Sequence, residues 1–236
     1  MHLAISARAE AVIERSKPHM NPRPKSYWVI ISLLASQVML VNNATTGMLI
    51  LTAICFPSLV AGAHGMLGLL GATLLAMALR LDAHALQSGL FGYNGLLVGM
   101  ASAAFLVHGG DDGWSVPVLM AVLVVGAMST IFQLALGNAL VPVFKSPPFT
   151  LAFNVSNMIL LLAAPRLSSL QVAPGLAPRL PATDAAPAAP LLDAYREIPS
   201  GLSAVVWLLE AALTSVGQVF LCESCVSGAL ILLGVA

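Results

Sequence analysis

Leu90-Phe91-Gly92-Tyr93-Asn94-Gly95-Leu96-Leu97-Val98-Gly99 sets an aromatic ring and an amide in the middle of an apolar run. Gly92, Gly95, Gly99 and Ala103 recur there at helical spacing, so one face of the helix is small enough for a second backbone to approach closely. The chain on either side points to a bilayer. Residues 26 to 79 hold no Asp, Glu, Lys or Arg, and neither do residues 113 to 144. Only 8% of the 236 residues are charged and 58% are hydrophobic, whereas a soluble domain carries about a quarter charged residues. Roughly 20 apolar residues match a hydrocarbon layer of ~30 Å. The expected class is an all-α, polytopic membrane protein.

Further apolar runs cover residues 27–41, 46–63, 66–79, 86–107, 114–144, 149–164, 202–221 and 225–236. The breakers between them include Asn42-Asn43, the glycines from Gly62 to Gly65, Arg80 to His84, and Lys145 to Pro148. The first run is about 22 Å long as a helix and ends on two amides. It reads as a half-membrane, re-entrant helix whose polar tip lines a cavity. Residues 167–200 are rich in Pro and Ala and carry Arg179, Asp184, Asp193, Arg196 and Glu197, which suits a solvent-side linker. The expected organisation is an N-terminal segment (1–26), a first membrane unit (27–166), the linker on the extracytoplasmic side (167–200) and the start of a second unit (201–236). Arg8, Arg15, Lys17, Arg23 and Lys25 precede the first apolar run and put that end in the cytoplasm. The segment has no apolar stretch of its own and does not read as a cleaved signal peptide.

Zero net charge and the lack of a basic stripe argue against nucleic acid as a partner. Cys222-Glu223-Ser224-Cys225 has CxxC spacing, but no second pair or paired His follows, so no metal is expected. His108-Gly-Gly-Asp111-Asp112 reads as a polar loop. Ser88 beside Gly89 is the one faint hint of an intramembrane hydrolase. No cofactor and no enzymatic activity are expected.

An internal repeat runs at a constant offset of 181 residues. Gln37-Val38-Met39-Leu40, continuing to Thr46-Gly47-Met48-Leu49-Ile50-Leu51, matches Gln218-Val219-Phe220-Leu221, continuing to Ser227-Gly228-Ala229-Leu230-Ile231-Leu232. Apolar matches are cheap in a membrane protein, so the Gln and Gly positions carry the weight. Two units built around broken helices are the usual sign of a transporter or channel with its site at the repeat interface.

The Leu-Phe-Gly-Tyr-Asn-Gly-Leu-Leu stretch and the duplicated Gln-Val segments resemble the urea transporter family. Ser146-Pro147-Pro148-Phe149-Thr150-Leu151-Ala152-Phe153 is similar to a third family segment, in which a Thr follows a Pro-containing break. The resemblance implies two inverted halves, each with five spanning helices and one re-entrant helix, and a homotrimer with a pore in every protomer. It implies a passive channel of the bacterial inner-membrane kind for urea or a similar small neutral amide. Gln37 and Gln218 would flank the pore with Val38 and Val219 beside them. Tyr93 would stack on the solute, Leu97 would line the constriction and Thr150 would offer an oxygen.

Urea is flat and neutral, with four N–H donors and one carbonyl. A dry pore must replace its water with acceptors, because an unpaired amide costs several kcal/mol, and apolar walls without fixed charge leave an ion nothing to offset its desolvation. This sequence departs from the family at Leu40 and Leu221, where an aromatic is usual. A second Tyr-Asn segment at the same offset would fall beyond Ala236, and the run 225–236 is about 18 Å long as a helix, too short to cross. The expectation is therefore a second half that is incomplete, and a 236-residue chain that conducts less than a complete family member. A non-conducting subunit or fragment is the alternative.

Overall fold

A proline and three side-chain caps decide where the first helices begin. In the computed structural model, which describes residues 35–106, 114–172, 202–222 and 224–236, eight α-helices lie wholly inside the described residues. They are α1 (Ala44–Cys55), α2 (Leu59–Ala78), α3 (Ala83–Gln87), α4 (Tyr93–Phe105), α5 (Val116–Phe144), α6 (Leu151–Ala163), α7 (Leu202–Gln218) and α8 (Cys225–Val235). No strand lies among the described residues, only an isolated bridge between Leu106 and Val172. The N-terminal segment, most of the 27–41 run, the His108 loop and nearly all of the linker lie outside them.

Asn43 caps α1 by accepting from the Thr45 amide, Ser58 caps α2 through Ala61, and Asp82 caps α3 through Ala85. The glycines Gly62 and Gly65, read above as a breaker, instead lie inside α2, and the break comes at Phe56-Pro57-Ser58. The physical reason is that α2 uses its glycines for packing. A Cβ on Gly68 would collide with the carbonyl of Gly95, one on Gly95 with that of Gly68, and one on Gly99 with that of His64. A Cβ on Gly126 of α5 would meet the Gly68 carbonyl at 2.6 Å. Gly68 thus sits where the backbones of α2, α4 and α5 converge. The run 86–107 is also divided, by a turn in which Gly89 takes φ 86°, so that α4 begins at Tyr93.

Among the described residues, α2 and α5 are the helices long and apolar enough to cross a membrane. α1 and α8 have 12 and 11 residues, about 18 Å and 17 Å of helix, roughly half a bilayer each.

These two short helices pack against each other in opposite directions. The Thr46 hydroxyl donates to the Gly234 carbonyl, and the Ser227 hydroxyl donates to the Ala53 carbonyl at 2.7 Å. Thr46 and Ser227 are 181 residues apart, and so are Ala53 and Gly234. The turns before the two helices match as well. Leu40 (φ 57°) and Leu221 (φ 55°) are both left-handed. Each closes a Schellman turn, with Leu40 N–H to Gln37 O and Val41 N–H to Ser36 O in one, and Leu221 N–H to Gln218 O and Cys222 N–H to Gly217 O in the other. Thr46→Val and Ser227→Ala are each expected to cost roughly 1 kcal/mol, read as lower unfolding midpoints of the purified protein in detergent. Unchanged midpoints in both would mean the hydroxyls do not join the helices.

The core around this pair holds Ile50, Ile54, Leu96, Leu97, Met100, Phe220 and Ile231, with Val38, Phe153 and Leu221 packed against it. At the other end of α5 and α6, Leu106, Val118, Val122, Leu160 and Leu170 form a second cluster.

Candidate functional site

The Gln37 amide is the best-defined polar group at the first turn. Its Nε2 donates to the Ser88 carbonyl at 2.8 Å. Because Ser88 O can only accept, the bond fixes which end of the amide is which, and Oε1 is left on the side away from Ser88. The Ser88 hydroxyl is itself engaged with Ala85 O at 2.9 Å. Ser88 is thus part of a turn that orients Gln37, and its hydroxyl is not positioned by a base.

Gln37 lines a cavity of about 360 Å³ together with Leu40, Leu90, Phe91, Tyr93, Gln133, Asn138 and Phe149, and with Pro147 and Pro148. The walls are mainly apolar and aromatic, with three side-chain amides among them. Among the described residues, no Asp, Glu, Lys, Arg or His belongs to the lining. Such a site can solvate a small neutral polar molecule through carbonyl and amide groups.

Tyr93 is buried, and its hydroxyl donates to the Phe149 carbonyl at 2.7 Å. Phe149 has φ 47°, a conformation that costs a residue with a side chain about 1–2 kcal/mol and persists where its surroundings hold it. Asn94 is fully buried beside it. Its Oδ1 accepts the Phe153 amide at 3.2 Å, and its Nδ2 reaches Gln133 Oε1 at 3.3 Å. Gln133 in turn donates from Nε2 to the Leu90 carbonyl at 2.8 Å.

Of the residues expected from sequence, the cavity brings together Gln37 and Tyr93. Leu97 and Val38 sit in or against the apolar core with Phe220. Thr150 is half-buried at the N-cap of α6, where its side chain makes no capping hydrogen bond. Gln218 is exposed at the last position of α7, followed by the 48% exposed Val219. Neither lines the cavity. Gln133, which also lines the cavity, was not among the residues expected from sequence. Its signal was a long amide in an apolar run that holds no charged residue, where a polar side chain must find a partner.

A sequence profile of the urea transporter family matches residues 31–236. Urea transporter 1 of the sheep, Ovis aries, is 29% identical over 209 residues, covering 87% of this chain and 48% of that protein. Its counterpart in the rat, Rattus norvegicus, is 32% identical over 136 residues, covering 58% of this chain and 34% of that protein. The chain spans about half the length of the curated relatives it matches. With the profile extending from the turn that carries Gln37 through α8, the chain belongs to the urea transporter family.

Proposed function

We propose that this protein provides a passive path for urea, or a similar small neutral amide, across the bacterial inner (plasma) membrane, without enzymatic activity. The observation that carries the reading is the Gln37 amide, anchored by its nitrogen on Ser88 and lining a cavity walled by Tyr93 and Phe149 whose described residues carry no charge. Family membership supports urea as the solute. A dehydrated urea would give its N–H groups to Gln37, to Gln218 and to the Thr150 hydroxyl in turn, with Tyr93, Leu97, Val38 and Val219 as its flat walls. Stopped-flow urea efflux from liposomes holding the purified protein tests this. Saturable flux above that of empty liposomes is expected, and flux indistinguishable from empty liposomes would sink the reading.

The matched Schellman turns and the reciprocal Thr46–Gly234 and Ser227–Ala53 bonds support an inverted repeat with its axis between α1 and α8. We place the N-terminus in the cytoplasm, the segment 167–200 outside, and the working assembly as a homotrimer. A single Cys at Ala186 is expected to react with an impermeant thiol reagent in intact cells. Reaction only after permeabilisation would reverse the topology.

A further inference from the structure

The two buried amides Asn94 and Gln133 form a one-way relay. Phe153 N–H can only donate, so Asn94 turns Oδ1 to it and Nδ2 toward Gln133; Gln133 then turns Oε1 to Asn94 and Nε2 to the Leu90 carbonyl. Asn94 Nδ2 also lies 3.5 Å from the Phe149 carbonyl, which takes the Tyr93 hydroxyl as well. Every amide orientation follows from its two ends, and bonds aligned in one direction polarise one another. One end of the relay, the Leu90 carbonyl, lies in the cavity lining, and the branch from Asn94 Nδ2 reaches Phe149 in another wall, while the Phe153 end lies behind it against the apolar core. Leu90 precedes α4, whereas Phe149 and Phe153 straddle the start of α6, and Leu90, Gln133 and Phe149 all line the space beside Gln37.

We propose that the Asn94–Gln133 relay sets the separation of these walls, making Gln133 a positioning residue that determines which neutral amides fit. As a selectivity device this rests on the solute-path reading above; as a tie between α4, α5 and α6 it does not. Gln133→Leu cuts the relay at both bonds. Gln133→Glu keeps it only while protonated, with its O–H donating to Leu90 O and its C=O accepting from Asn94; ionised, it sets a negative oxygen against the Leu90 carbonyl. Tyr93 is the only ionisable side chain on α4, α5 or α6, and His64 the only one on α2.

The experiment pairs two readouts on the purified protein: amide hydrogen exchange over residues 151–154, and liposome flux of urea against 1,3-dimethylurea. In Gln133→Leu, Asn94 loses the bond that helps hold its Oδ1 on the Phe153 amide, so exchange is expected to run roughly tenfold faster, and the preference for urea to fall by a similar factor. Gln133→Glu is expected to match the wild type at acid pH and the Leu variant at alkaline pH, each compared at the same pH. Should the Leu variant fail to fold, the Glu series carries the test in one folded protein. Unchanged exchange in the Leu variant, or a Glu variant indifferent to pH, overturns the relay. Faster exchange with unchanged solute preference overturns the positioning role. If the wild type passes no urea, the function above fails while the exchange data still decide the tie.

Discussion

Gly68→Ala is expected to destabilise the protein by more than ~3 kcal/mol and to remove the monodisperse species from detergent extracts. Overpacking usually costs about 1–3 kcal/mol, because a neighbouring side chain can turn away. Here the added methyl would meet the Gly95 backbone carbonyl, with the Gly99 amide nitrogen 3.1 Å from it. Those atoms belong to α4, which cannot yield without moving Tyr93 and Asn94 at its first turn. Gly68 also backs onto Gly126, so a shift of α2 away from α4 is resisted by α5. Gly137 supplies the contrast. It lies in α5 with nothing within 4 Å of an added Cβ, so Gly137→Ala is expected to be neutral or stabilising by about 0.5–1 kcal/mol through helix propensity alone. Yield, elution profile and thermal midpoint of the two variants decide the matter. Equal behaviour would show that the glycine contact is looser than its geometry.

Gln37→Leu is expected to lower urea flux by roughly tenfold or more while leaving the elution profile unchanged. Leu fills a similar volume but cannot accept from a solute N–H, and an unsatisfied polar group in a dry site costs about 1–3 kcal/mol. The half-buried position and the single bond to Ser88 make the change mild for folding, since Ser88 O keeps access to water or to the solute. Flux at the wild-type level in a well-assembled variant would remove Gln37 from the path.

The helical class, the family and the positions of the two Gln turns were legible because each rests on local pattern. Charge-free runs report the bilayer directly, and Gln37 and Gln218 stand out as amides beside apolar stretches. Helix breaks were less legible. Gly62 and Gly65 look like punctuation in water, but in lipid small residues are the packing surface, and the break moved to Pro57. The site was legible only in part. Tyr93 announced itself by its neighbours, yet its partner is a backbone carbonyl 56 residues away, and no side-chain pattern encodes a carbonyl. Gln133 and Ser88 act through such carbonyl bonds, on Leu90 and toward Gln37, so their roles appear only once the helices are assembled.

The reciprocal bonds between α1 and α8 also impose an order in time. Their partners are separated by 188 and 174 residues along the chain, and a ribosome adding about 5–20 residues per second needs roughly 10–35 s to cover that distance. During that interval α2, α4 and α5 can already close through nearer contacts, whereas α1 has no hydroxyl from α8 to meet. The half-length helix enters the membrane early and completes its docking late. A nascent chain arrested before Ser227 emerges should therefore hold a protease-sensitive α1 beside a protected α2, and release of the arrest should protect both.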